Sequence, residues 1–206
     1  MAPAPAEIVS MLELSPRRWT VDEYNKMAEV GVIGPHERVE LIDGEVLPLS
    51  AHDKMHSDSV ALANNLLVRA YGQTHLVRVG LPIQVGEYSE PEPDFALVRP
   101  EQQRAARRHP TCADLVIEMS FTSLAYDRLR KTSLYASAGV PEYWIVNLVD
   151  RCLEQHLQPQ KDTTAPFGAS YSLRRVWQPD DEITPAHVPG PTLVVGHLMA
   201  PVPDQD

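Results

Sequence analysis

Apolar and polar positions recur along this chain in two rhythms, one of helical period and one of strand period. Helical spacing comes first in VDEYNKMAEV, which follows the capping box Thr20-Val21-Asp22-Glu23 and runs to Gly31. It returns in HDKMHSDSVALANNLLVRAYG, where Val60, Leu62, Leu66, Leu67 and Ala70 fall at helical spacing and Gly72 stands near the end. A third helix is expected over 123–138, closed by Gly139-Val140-Pro141. Strand rhythm appears in RVELIDGEVLPL, where Asp43-Gly44 between two apolar segments predicts a hairpin. HLVRVGLPIQVGEY gives two strand-like pieces, and FALV and LVI are short β-favouring runs suited to strands buried on both faces. EYWIVN and CLEQHLQ read as strands joined across Leu148 to Arg151. A polar loop spans 160–169, YSLRRVWQ alternates again, and PTLVVGHLM closes the fold. This order predicts an α/β protein with a mixed β-sheet flanked by helices.

Length and composition narrow the picture. At 206 residues and 43% hydrophobic, the chain can bury one good core, so a single domain over 16–200 is expected, with tails at 1–15 and 201–206. The proline-rich start MAPAPAEIVS reads as a disordered tail, and it lacks the basic-then-apolar pattern of a leader. No apolar run reaches membrane-spanning length. Cys112 and Cys152 show no metal-binding spacing, which points to reduced thiols and a cytoplasmic protein. The net charge of −10 argues against promiscuous nucleic-acid binding, which depends on phosphate neutralisation by Lys and Arg. Arg99, Arg104, Arg107 and Arg108 form a local basic cluster whose simplest reading is a solvated loop or short helix.

The candidate chemistry lies between Pro93 and Lys131. Alternation along DLVIEMS puts Leu115, Ile117 and Met119 on one face and Val116, Glu118 and Ser120 on the other. An ionised Glu118 buried there needs a cation or hydrogen-bond donors, and Asp94 beside FALV has the same need. If the two strands are neighbours, one divalent ion answers both acids. Hard cations such as Mg2+ take oxygen ligands and suit phosphodiester cleavage. On the helix that follows, counting from Leu124, the face toward the sheet carries Asp127 or Arg128, Lys131, Leu134 or Tyr135, and Ala138. An Asp127–Lys131 pair thus interrupts an otherwise apolar stripe. His52 and His56 stand four apart and form a second candidate metal pair, with no third ligand evident. Tyr143 and Trp144 are best read as core residues.

The segments PEPDFALV, ADLVIEMS and SLAYDRLRKTSLYASAGVPEYWIV, with RVELIDGEV upstream, together resemble the Uma2 family within the PD-(D/E)XK nuclease superfamily, over about Trp19 to Trp144. The resemblance implies a restriction-endonuclease-like core and a Mg2+- or Mn2+-dependent DNA endonuclease. Its metal-binding acids would be Asp94 and Glu118, helped by the Met119 carbonyl, its lysine Lys131, and its upstream glutamate Glu40. His56, Asp127 and Arg128 would be accessory residues, His56 near the phosphate. The position two after Glu118 is Ser120 rather than lysine, so Lys131 must serve from the helix, an arrangement seen in the family. A homodimer is expected, since nuclease dimers cut both strands. Two other readings stand beside this one. In the first, the same fold is a noncatalytic oligomeric or nucleic-acid-binding module whose acids are satisfied by Lys131 and Arg128 as a buried ion network. In the second, His52 and His56 build a zinc hydrolase.

Overall fold

The structure, a computed structural model, describes residues 16–49 and 53–202, so the expected N-terminal tail lies outside the described residues. Its centre is a six-stranded sheet in the order β3-β4-β5-β6-β7-β8. The strands are β3 (Leu76–Val79), β4 (Phe95–Val98), β5 (Leu115–Ser120), β6 (Glu142–Asn147), β7 (Cys152–Lys161) and β8 (Ala169–Trp177). Only β5 and β6 pair in parallel; each other neighbouring pair is antiparallel. A parallel pair needs a long crossover, and the helical segment after β5 supplies it. The sheet is therefore mixed and helix-flanked, as the alternation of rhythms predicts.

Each face of the sheet covers its own core. Leu115, Ile117 and Met119 join Phe95, Leu97, Trp144 and Val146 on one side. Val116, Ala96, Val98, Tyr143 and Ile145 face the other side, against Leu134 and Tyr135. The expected division of β5 is thus observed, and Glu118 and Ser120 lie on the second face with Val116.

The first core is closed by helix α2 (Lys54–Tyr71), which follows α1 (Val21–Glu29) in the chain. Asp53 caps α2 by accepting from the His56 N–H at 2.9 Å. Its buried stripe is Ser59, Ala63, Leu67 and Tyr71; of the predicted positions Leu67 is buried, Val60, Leu66 and Ala70 pack against the same core, and Leu62 alone is exposed. Ser59 Oγ accepts from Ala200 N at 2.9 Å, so the stripe meets the C-terminal segment as well as the sheet. Gly190 packs on Tyr71 so closely that a Cβ would lie 2.5 Å from its ring.

The hairpin of β1 (Val39–Ile42) and β2 (Glu45–Pro48) turns at Asp43-Gly44 with φ of 55° and 81°. Both turn residues are left-handed, as a type I′ turn requires. Gly44 has a second reason to be glycine, since a Cβ would lie 2.5 Å from Arg18 Cβ. Glu90 N donates to Leu41 O and Gly44 N to Tyr88 O, and these bonds pin the hairpin beside the sheet. The second strand-like piece of HLVRVGLPIQVGEY is no strand. It contributes one isolated bridge, Val85 with Ser89, because its partners are turn carbonyls rather than a neighbouring strand.

The expected regular helix over 123–138 is composite. Leu124–Tyr126 and Thr132–Ser137 are α-helical, and Asp127–Lys131 between them is a π-turn; we call the whole α4. A short helix α3 (Pro100–Ala105) carries Arg104 of the arginine cluster, with Arg99 at its N-cap. At the C-terminus, β9 (Glu182–Ile183) pairs with β10 (Leu193–Val194), and Val195–Leu198 forms a 3-10 turn. No described helix is long and apolar enough to cross a membrane. Cys112 and Cys152 are both free.

Candidate active site

The register of β4 and β5 builds the site. Phe95 pairs with Ile117, so Asp94, one residue before β4, comes alongside Glu118. Asp94 N donates to Glu118 Oε2 at 3.3 Å, and Met119 N donates to Asp94 Oδ2 at 2.7 Å. The backbone thus fixes both carboxylates on adjacent strands. His56, in the first turn of α2, brings Nε2 to 3.2 Å from the Asp94 carboxylate. Burial alone would lower the His56 pKa, but the Asp94 hydrogen bond and charge outweigh it and raise it.

Lys131 enters from α4 and is 4% exposed. Its Nζ donates to Glu40 Oε2 at 2.6 Å and lies 3.4 Å from Glu118 Oε1. Glu118 Oε1 also accepts from the Tyr135 hydroxyl at 2.8 Å. Burial dominates at Glu118 and, with Asp94 and Asp127 nearby, holds its carboxyl well above the usual range despite Lys131. Lys131 shows the opposite balance: Glu118 and Glu40 outweigh desolvation and keep it firmly protonated. Glu40 is buried on β1 and also accepts from Glu92 N at 3.2 Å, so the hairpin delivers it to the lysine.

Ser120 occupies the position where the superfamily pattern would carry a lysine, and its hydroxyl donates to Asp127 Oδ2 at 2.6 Å. Ser123 Oγ donates to the same oxygen at 2.6 Å. Asp127 is therefore a positioning residue that ties the start of the π-turn to the end of β5. In the π-turn the Thr132 N–H reaches back to Asp127 O, spanning five residues instead of four. With the extra residue accommodated, Asp127 and Lys131 are both buried while Leu129 is exposed.

Arg128 does not join the acids. Its Nε donates to Glu154 Oε1 at 3.0 Å and its Nη2 lies 3.5 Å from Asp150, so it anchors α4 to β7 instead. The expectation that Arg128 shares the buried network with Lys131 is thus corrected, since Arg128 pairs with Glu154 and Asp150 instead. His52 lies outside the described residues, and His56 is engaged by Asp94.

The acids open onto a cavity of about 440 Å³ lined by Glu40, Glu92, Asp94, Glu118, Tyr126 and Lys131, among others. Two of these were not singled out from sequence. Glu92 shares the parity of Asp94, which was its available signal; burial raises its pKa, and Glu40 adds to the rise. Tyr126 leaves its hydroxyl buried without a hydrogen-bond partner among the described residues. No sequence signal marked it, because its direction depends on the π-turn that begins at the next residue.

Among the described residues no three His, Cys, Asp or Glu side chains form a ready-made metal cage. Asp94 and Glu118 nonetheless fit a hard divalent cation. They are oxygen donors on adjacent strands, they face an open cavity, and Glu118 lacks enough positive charge to ionise freely. Mg2+ commonly takes one or two carboxylates and keeps several waters.

Comparison with known proteins bears on the fold and the family. No curated protein sequence matches the chain. A solved structure, described as a putative nuclease belonging to DUF820 from Anabaena variabilis, superposes with a TM-score of 0.60 at 13% identity. It covers 87% of this chain and 96% of its own, and it shares the fold. Residues 21–195 match the model of Uma2, described as "Putative restriction endonuclease". Since that match spans the sheet, the hairpin and the whole acid pocket, the chain belongs to the Uma2 family.

Proposed function

We propose that the protein is a Mg2+- or Mn2+-dependent DNA endonuclease that hydrolyses phosphodiester bonds. The observation that carries this reading is the convergence of Asp94, Glu118, Lys131 and Glu40 on one open cavity. Asp94, Glu118 and the Met119 carbonyl would hold the ion, which when bound supplies an acidified water and offsets charge on the phosphoryl oxygens. Lys131, kept protonated by Glu40, helps position the attacking water and balances charge that develops on the phosphate. His56 orients Asp94 by its hydrogen bond. Asp127 sets the turn that presents Lys131, and the unpartnered Tyr126 hydroxyl donates to a phosphate oxygen. Arg128 acts only through the packing of α4. A homodimer would let two such sites cut both strands.

A second reading has one observation in its favour. Lys131 lies within 4 Å of two of the acids, as in a closed structural ion network. A noncatalytic module of this kind would hold no divalent ion. Calorimetric titration of Mn2+ into wild type and Asp94→Ala, followed by nicking of supercoiled plasmid, separates the two. Binding and metal-dependent nicking by wild type alone support the nuclease. No binding by either protein sinks it in favour of the module.

A further inference from the structure

The arginine cluster of 99–109 is only partly spent on ion pairs. Arg99 binds Asp114 through Nε at 2.7 Å, and Arg108 reaches Glu29 at 2.7 Å. Arg104 and Arg107 have no carboxylate within ion-pair distance among the described residues. Beneath them lies a stranger group. Arg78 on β3 is 9% exposed, yet its partners are the neutral oxygens of Gln103 at 2.6 Å and Pro82 at 2.9 Å, and the His109 ring at 3.5 Å. Its Nε is buried with no hydrogen-bond partner among the described residues. No described carboxylate pairs with it. A buried cation without a counter-charge is costly, because the Coulomb attraction that normally offsets desolvation is missing.

Above Arg78 is a cavity of about 390 Å³ whose wall includes Arg107, Arg108, His109, Gln84, Gln102 and Asp22. It shares no lining residue with the acid pocket. His109 links the cavity to the buried arginine. Burial, then Arg78, then Arg108 depress its pKa, so its ring is neutral near neutral pH. Since Arg78 donates to Nδ1, the ring proton sits on Nε2, which is left as a donor. The Arg107 guanidinium, the N–H groups of Arg108 not held by Glu29, an imidazole N–H and the Gln102 amide then border one space, with a buried positive charge behind them, while Gln84 Nε2 is held by Gly86 O at 3.0 Å. Donors of this number and spread match the several oxygens of a tetrahedral anion better than a planar carboxylate. Asp22 is the opposing charge on the wall, and it is exposed to solvent.

We propose that this cavity is a second ligand site, separate from the acid pocket, that binds a phosphoryl group. The phosphate supplies the counter-charge that Arg78 lacks. A nucleic-acid backbone and a free phosphate or nucleotide present the same chemistry, and the test distinguishes them.

The experiment follows the His109 ring signals by NMR while inorganic phosphate is added to the full chain in EDTA, with chloride at equal ionic strength as the control. EDTA keeps the result independent of divalent metal, so failure here and failure of the nuclease reading are separate outcomes. Wild type is expected to show a saturable shift with phosphate and none with chloride. Arg107→Gln with Arg108→Gln, both at exposed positions, should weaken binding about tenfold or more. Asp22→Asn should strengthen it about threefold by removing the opposing charge. A labelled duplex then identifies the source. If the double variant also binds duplex more weakly, with a salt slope reduced by about one per lost phosphate contact, the ligand is a nucleic-acid backbone. If duplex binding is unchanged while phosphate binding is lost, the ligand is a free phosphate. Absence of a phosphate-specific His109 shift in wild type, or equal binding by the double variant, overturns the proposal.

Discussion

Two buried glutamates lie in one row across the sheet and have opposite fates. Glu118 pairs in register with Ile145, and Ile145 pairs with Glu154, so the two acids stand two strands apart on the same face. Glu154 is fully buried but is bound by Arg128, Arg174 and Asn147, and these contacts outweigh burial and lower its pKa. Glu118 has one lysine, shared with Glu40, and its pKa is raised. Low solvent exposure therefore does not by itself decide the chemistry. A carboxylate saturated with donors holds structure together, whereas one left short of positive charge is available to a cation. Glu142 is a further case of the saturated kind, holding Trp144 Nε1, Gln155 Nε2 and His187 N.

The contrast is tested most severely by Asp94→Ala. Metal-dependent plasmid nicking should fall by about a thousandfold or more, with the thermal melt little changed. Cleavage at the wild-type rate would remove Asp94 from the site. Glu154→Gln should do the reverse, costing about 2 kcal/mol in urea unfolding at neutral pH, a figure discounted because Arg128 and Arg174 are half exposed, while nicking persists. Its pH dependence has a fixed sign. The lowered pKa contributes stability above the ordinary value of 4.5 that is lost as pH falls through the folded value, so wild type and variant should converge in acid.

Tyr126→Phe should reduce kcat/KM by about tenfold through loss of one hydroxyl donor, and unaltered kinetics would leave that hydroxyl without a role. The last effect, small in stability though not in activity, is expected at Glu118→Gln. A raised folded pKa means the native state holds the proton more tightly, so stability falls as pH rises from about 4.5 toward the folded value. In metal-free protein the variant should therefore gain about 1 kcal/mol at alkaline pH, while losing activity. A loss of stability there would mean that Lys131 already ionises Glu118 fully.

Much of this arrangement could be read from residue order alone. The alternation in LVIEMS placed Glu118 opposite the larger apolar side chains, and Asp43-Gly44 located the hairpin that carries Glu40. These features are set by neighbours in sequence. What escaped depends on contacts made across the fold. Asp127 and Arg128 were equivalent by helical spacing, and only Ser120, Ser123 and Glu154 separate them, drawing one into the core and the other to β7. Leu62 was grouped by spacing with core positions of α2 that do pack inward, but the buried face centres on Ser59, Ala63, Leu67 and Tyr71 and leaves Leu62 exposed. Arg78 sat in an apolar strand with nothing to mark its lack of a counter-charge, because the acids that might have answered it are placed by other elements.

The π-turn of α4 makes the pocket tolerant of a change in length at one point. Removing one in-frame codon, that of exposed Leu129, would let an ordinary helix form in which four residues cover nearly the rotation that five cover now. Asp127 would keep facing Ser120 and Lys131 would keep facing Glu40, with a shift along the axis of about one residue's rise. A lineage could therefore change length at this point and keep the pocket, whereas a deletion elsewhere in the helix has no extra residue to absorb it.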